Sequence, residues 1–262
     1  MQTLARELRI TLITFAAVVA ATPLLAQGTI DTDRPGFLFA TTTVPEGMLQ
    51  VELGLPLVTL DEPSGGPDVR LLQFPAALRY GWSDSLELRL GAPVYNRLRV
   101  ESGGTTSHES GVGDVEVGLK WALPQGFADA AALIAGVRLP TGEDPFSVDD
   151  PAPSLNAVAS WTVFEDMTFK GLVGWSHTPV HAGADVDAGA LGALLGRSLA
   201  EDLSGYVEAA FFPSDDVPDT SYAGFGLGYL LSDDAQVDLS LDAGLDEDAA
   251  DWIFGVGYSR RF

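Results

Sequence analysis

Cysteine is absent from all 262 residues. That excludes disulfide frameworks, thiol nucleophiles and thiolate metal sites. Basic residues are scarce: 14 Lys and Arg stand against 37 Asp and Glu, a formal net charge of −23. Nucleic-acid binding by phosphate neutralisation needs the opposite balance, so that partner class is excluded. Three His (His108, His177, His181) and three Met leave little for a His-rich metal centre. Glycine, by contrast, is abundant at 29 residues, which disfavours long helices. Hydrophobic residues nevertheless make up 46% of this highly charged chain. The two kinds of residue must therefore be segregated, and the question is how.

Long apolar runs are also lacking, with one exception. In residues 1–26, Arg6 and Arg9 precede an apolar stretch at residues 10–21, followed by Thr22-Pro23 and a small-residue end at Ala26. This is the layout of a secretory signal peptide, and the stretch is short of the ~20 residues a spanning helix needs. Cleavage near Gln27 leaves 12 basic and 36 acidic residues. No comparable run follows, so the mature chain is expected to be either soluble or a membrane β-barrel.

The remaining sequence alternates. Leu49, Val51, Leu53, Leu55 and Leu57 share one parity; Gln50, Glu52, Gly54, Pro56 and Val58 share the other. Period 2 is the signature of a strand with two unlike faces. The same pattern sets Leu86, Leu88, Leu90, Ala92 and Val94 against Glu87, Arg89, Gly91, Pro93 and Tyr95. Twelve such segments are predicted, near 48–59, 70–80, 86–99, 113–123, 130–140, 154–164, 168–178, 188–198, 203–213, 220–231, 236–246 and 251–262. Most reach the ~9–11 residues of a tilted membrane strand, against ~5–6 in soluble sheets. Short connections alternate with longer ones rich in Gly, Pro, Ser and Asp, such as 100–112 and 141–153. That order predicts a barrel with both chain ends on the short-turn side.

Charge placement agrees. Most acids fall in connections. The seven within strands, Glu52, Glu87, Asp114, Glu116, Glu208, Asp238 and Asp242, all take the less apolar parity, as do Arg79, Arg89, Lys120, Arg138 and Lys170. A charge facing lipid at mid-bilayer costs ~2–4 kcal/mol, whereas one facing the lumen need not. A secreted β-sandwich is the competing reading, but strand length and the end of the chain oppose it. Trp252, Phe254, Val256, Tyr258 and Phe262 alternate up to the terminus. A closing strand of this kind resembles the assembly signal of bacterial outer-membrane barrels, which implies a barrel-assembly machinery as partner. Tyr80, Trp121, Trp252 and Tyr258 would sit as interfacial girdle residues.

Four blocks stand out: Thr32-Asp33-Arg34-Pro35-Gly36-Phe37; Gly111-Val112-Gly113-Asp114 with Gly118-Leu119-Lys120-Trp121; Arg138-Leu139-Pro140-Thr141-Gly142; and the terminal Gly255-Val256-Gly257-Tyr258-Ser259-Arg260-Arg261-Phe262. Together they resemble the bacterial outer-membrane transporter family of the MetA pathway of phenol degradation, over essentially the whole mature chain. The resemblance implies a barrel that passes small, often aromatic or apolar, molecules. It carries over no catalytic residues.

The expected architecture is an all-β, antiparallel, up-and-down transmembrane barrel of about twelve strands at residues 48–262, after the signal peptide (1–26) and a periplasmic or lumenal segment (27–47). Inward Glu52, Arg79, Glu87, Arg89, Glu116, Lys120 and Arg138 form either a charged constriction or a lumen-filling salt-bridge ladder. Asp31, Asp33 and Arg34 could fold in as a plug, Arg34 pairing with Glu52 or Glu87 and Asp33 with Arg79 or Arg89. On the far wall Tyr206, Phe212, Tyr222, Asp238 and Asp242 face inward among glycines.

Enzyme constellations are weak. Ser176 and His177 have opposite parity. His108 and His181 fall in loops, and Asp144, Asp149, Asp150 and Asp185 read as a solvated rim. Asp215, Asp216 and Asp219, and Asp246, Glu247, Asp248 and Asp251, lack the spacing of a calcium loop. The expectation is therefore an outer-membrane channel, lipid-embedded, with no enzyme activity, cofactor or metal and with both termini periplasmic. A non-conducting structural barrel is the alternative and a hydrolase a more distant one.

Overall fold

A computed structural model describes residues 28–63, 66–179 and 185–262. The signal segment at 1–26 and His181 lie outside the described residues. Thirteen strands are present among the described residues: β1 (Leu49–Asp61), β2 (Asp68–Ser83), β3 (Leu86–Ser102), β4 (Thr105–Gly111), β5 (Val115–Ala122), β6 (Ala130–Leu139), β7 (Ala152–Phe164), β8 (Met167–Thr178), β9 (Val186–Ser198), β10 (Leu203–Phe212), β11 (Thr220–Ser232), β12 (Ala235–Gly244) and β13 (Trp252–Arg261). Apart from β4 and β5, consecutive strands pair antiparallel, and β1 pairs with both β2 and β13, which closes the sheet. β4 and β5 share one position in the ring, pairing in turn with the far and near halves of β3. The barrel therefore has twelve staves, and closure pairs every strand on both sides except β4, which has only β3 beside it.

The polarity is inverted relative to a soluble protein. Leu90, Val117, Leu119, Trp121, Val173, Trp175, Val207, Phe225 and Phe254 are exposed on the outside. Gln50, Glu52, Arg79, Glu87, Lys120, Glu208, Asp238, Ser240, Asp242 and Ser259 are buried inside. An apolar belt of this extent is stable only against lipid. Trp82, Phe127 and Phe164, at or beside the short turns, are among the most exposed large side chains and add to the girdle.

The strands depart from the simple alternation in two ways. The connection predicted at 100–112 is a hairpin: β3 runs on to Ser102 and β4 returns, with Ser102 opposite Thr105. Gly103 (φ 57°) and Gly104 (φ 78°) make its two-residue turn, which needs positive φ at both central positions. The returning strand β4 is polar on both faces, so period 2 could not reveal it, and His108 is a strand residue rather than a loop residue. The second departure is a pair of bulges. The β1 register shifts between Gly54 and Leu57, so Leu57 pairs with Gly255 and turns inward, against its predicted outward parity. In β3, Pro75 pairs with Pro93 but Gln73 with Asn96, so Val94 and Tyr95 both face out. An extra residue in one strand flips every side chain beyond it.

Candidate functional site

Residues 28–47 lie inside the barrel as a loop that enters and leaves at the short-turn end. Arg261 Nη2 donates to the Gly28 carbonyl (2.6 Å), and the Ile30 N–H donates to the Asp233 carbonyl (2.7 Å). The segment then climbs β12. Gln236 Nε2 donates to Thr32 Oγ1, Arg34 meets Asp238, and Ser240 Oγ donates to the Pro35 carbonyl. It crosses the lumen at Phe37 and Leu38, where the Glu208 carboxylate accepts the Phe37 N–H (3.0 Å to Oε2). The return leg passes Ser160, through Thr41, and ends with the Val44 N–H on Glu87 Oε2 (2.9 Å) and the Gly47 N–H on the Gly81 carbonyl (2.8 Å). Val44 and Ala40 are fully buried on this path.

Five of the seven inward charges proposed for the constriction converge on this loop. Arg79 grips Glu87 with two bonds (Nε–Oε1 2.8 Å, Nη2–Oε2 2.9 Å) and Glu52 with a third (2.6 Å). Arg89 reaches Glu87 (2.8 Å) and Asp33 (2.5 Å), and Lys120 Nζ reaches Asp33 (2.8 Å) and the Thr42 carbonyl (3.4 Å). The register explains the need for acids, because Arg79 sits directly opposite Arg89 and Glu87 opposite Lys120. Facing like charges repel unless a carboxylate bridges them. The wall supplies three cations, Arg79, Arg89 and Lys120, and two anions, Glu52 and Glu87. Asp33 brings the third anion. These groups are nearly or wholly excluded from water, so an uncompensated cation here would be costly.

Glu116 and Arg138 do not join the cluster. They face each other nearer the loop end without forming an ion pair. Glu116 is exposed, and Arg138 Nη2 donates to Thr178 Oγ1 (3.3 Å). Asp31 contributes its carbonyl, which accepts from Gln50 (3.0 Å) and Arg79 (3.2 Å), while its carboxylate takes the Thr42 hydroxyl (2.6 Å). The Arg34 partner is Asp238 (3.3 Å), with a second bond to the Val256 carbonyl (3.1 Å), rather than Glu52 or Glu87. Sequence reasoning missed Gln50, Gln236 and Glu208 as holders of the segment. Their inward parity was legible, but partners that are backbone groups or a hydroxyl leave no charge pattern to match.

The sequence blocks meet in space. Thr32 to Phe37 make the climb along β12, Lys120 binds Asp33, and Asp114 organises the connection after β6. Asp114 lies between β4 and β5, outside the strands. It accepts the Thr141 N–H (2.9 Å), the Gly142 N–H (2.8 Å), the Ser147 hydroxyl (2.8 Å) and the Val148 N–H (2.7 Å). Burial alone would push its carboxyl up. The four donors outweigh that and hold it below the usual carboxylate range.

The terminal strand pairs with β1 and β12 and closes the ring. Trp252 and Phe254 are exposed outward, and Phe262 exchanges two backbone bonds with Leu49.

His177 is bonded to Asp187 (Nδ1–Oδ1 3.3 Å), near Asp185 (3.7 Å), and stacks on Trp175; Ser176 points to the other face. Asp219 and Asp246 cap turns through the Ser214 and Ala249 N–H groups, and Asp251 accepts the Glu62 N–H. Among the described residues no group of three or more His, Asp and Glu is placed to hold a metal ion.

Solved structures share this fold. An outer membrane channel from Pseudomonas putida F1 aligns with a TM-score of 0.65 at 15% identity, covering 87% of this chain and 99% of that one. The β domain of the Bordetella autotransporter BrkA aligns at 0.60 and 15% identity, covering 82% and 99%. The NalP translocator domain from Neisseria meningitidis aligns at 0.52 and 11%, covering 84% and 90%. At these identities the likeness is one of fold. A search of curated proteins found no match. The family described as "Putative MetA-pathway of phenol degradation" matches residues 32–262, and the chain belongs to that family.

Proposed function

We propose that the protein is a passive outer-membrane channel for small molecules, narrowed by its own residues 28–47. The observation that carries this reading is that the segment occupies the lumen without filling it. A cavity of about 580 Å³ opens beneath it at the turn end, between Ile30, Arg34 and the wall at Lys170, Gly196 and Tyr206. A second of about 160 Å³ lies above it, against β7 to β10. Leu38, packed on Leu172 and Leu194, separates the two. The ion-pair cluster seals the β1–β5 sector, and the β8–β10 sector is the side left for passage.

The solutes are small and aromatic or apolar, as the family description and the apolar β8–β10 wall suggest. Acidic loops attract cations and repel anions at the mouth. Both termini face the periplasm, the exposed belt contacts outer-membrane lipid, and the closing strand from Trp252 to Phe262 is presented to the barrel-assembly machinery. The dense ion-pair network also favours a second reading, a non-conducting structural barrel. Planar-bilayer conductance of the refolded protein decides between them. Discrete steps that small aromatic solutes reduce support the channel. A folded barrel that stays silent, and remains silent after deletion of residues 28–36, overturns it.

A further inference from the structure

We infer that the cavity above Leu38 is a binding site for a single aromatic ring carrying one hydrogen-bonding substituent. The inference deepens the channel reading by naming a solute class and a place for it. The cavity measures about 160 Å³ and is walled by Phe37, Phe39, Leu172 and Phe212 over a floor of Leu38. That is the volume at which an enclosed apolar cavity takes benzene; this one is partly open to the lumen. Two of the lining rings already pack on each other, so the wall is aromatic and held in place. Phe37 meets Phe212 edge to face at 5.7 Å and lies 5.5 Å from Tyr222, the geometry that aromatic pairs favour.

One polar side chain breaks the apolar lining. Asn156 on β7 faces the cavity, and its amide makes no hydrogen bond to the protein. Its Oδ1 lies over Gly174, in the space a Cβ there would occupy. The absent side chain at 174 is therefore what gives the amide its place. A carboxamide offers a donor and an acceptor. A hydroxyl on the ring would satisfy the acceptor, and a carbonyl would satisfy the donor. An anionic substituent would meet no cation here, since Arg89 lies beyond Phe39 with its guanidinium 5.6 Å from that ring.

The test is ¹⁹F line broadening of 4-fluorophenol and fluorobenzene by the full mature protein in lipid nanodiscs, with folding checked by heat-modifiable gel mobility. Saturable broadening of both probes is expected. Ala190→Leu, which fills the cavity from β9, should weaken both by more than tenfold, with Ala190→Val as the milder version should the larger side chain fail to fold. Asn156→Leu should weaken 4-fluorophenol by about three- to tenfold, one hydrogen bond's worth, and leave fluorobenzene unchanged. Broadening that does not saturate, or that both Ala190 variants leave unchanged, means the probes sit in lipid and overturns the site. Equal loss of both probes in Asn156→Leu overturns the role of the amide. Because this reads binding, it separates from conductance: a conducting protein without saturable binding keeps the channel and loses the site, and a binding protein that never conducts does the reverse.

Discussion

Asp33 and Arg34 are consecutive in the chain and bind different sectors of the barrel wall, Asp33 to Arg79, Arg89 and Lys120, Arg34 to Asp238. In the ion-pair cluster the β1–β5 wall carries one cation more than its acids, Arg79, Arg89 and Lys120 against Glu52 and Glu87, and β10–β12 carries Glu208, Asp238 and Asp242 with no inward base. The dipeptide answers both imbalances at once. That complementarity fixes the segment's position and its orientation, since reversing the two charges would set like against like.

Asp33→Asn leaves three buried cations facing two acids. Breaking a buried pair in this way costs about 3–5 kcal/mol. The urea midpoint of the refolded protein should fall accordingly, and conductance should rise as the segment loosens. Unchanged values for both would mean that the cluster tolerates an extra cation.

Lys120→Met removes the excess cation instead. With Arg79 and Arg89 against Glu52 and Glu87, the wall balances without Asp33. The double variant Asp33→Asn/Lys120→Met should therefore recover part of the stability lost in Asp33→Asn alone, a coupling of roughly 1–3 kcal/mol in a double-mutant cycle. Strict additivity would show that Lys120 and Asp33 act independently despite their 2.8 Å contact.

Gly81→Ala should detach the end of the segment. A Cβ there would lie 2.1 Å from the Pro45 carbonyl oxygen and 2.4 Å from that of Val44, both backbone atoms. Overpacking of this kind costs about 1–3 kcal/mol. Faster hydrogen exchange at the Gly47 amide, which donates to the Gly81 carbonyl, is the readout. Native protection in a folded variant would show that the approach can relax.

Acid should release the loop that Asp114 holds. Its carboxyl is lowered in the folded state by the Val148, Gly142, Ser147 and Thr141 donors, against the opposing effect of burial. The stabilisation is present above the unfolded carboxylate pKa of about 4 and is lost as pH falls through the lower folded value. Limited proteolysis within residues 143–150 should stay slow at pH 5 and accelerate only below the usual carboxylate range. Asp114→Asn should cut readily at neutral pH.

The barrel was legible because lipid and lumen impose one rule on every strand: alternate residues must differ in polarity. Glu52, Arg79, Glu87, Arg89 and Lys120 could be assigned to the inside by parity alone. The same rule failed at Leu57 and Tyr95, because a bulge is a backbone event that shifts parity without any compositional mark. It failed again at residues 100–112, where a returning strand polar on both faces has no alternation to show. Asp33 could be matched to Arg79 and Arg89 by sign, but Arg34 could not be matched to Asp238, since charge complementarity names candidates and not distances.

The sequence by itself therefore determined the twelve-stave wall, the segregation of acids to loops and lumen, and the presence of a charged segment ahead of the first strand. Periodicity and charge are local properties, and each strand carries its own copy of them. Only the tertiary structure decided that residues 28–47 enter and leave at one end, that Glu116 and Arg138 stand apart from the cluster, and that Asn156 is left without a partner beside three phenylalanines. Those facts depend on closure and register, which bring residues up to 233 positions apart within bonding distance, and no window of sequence contains them.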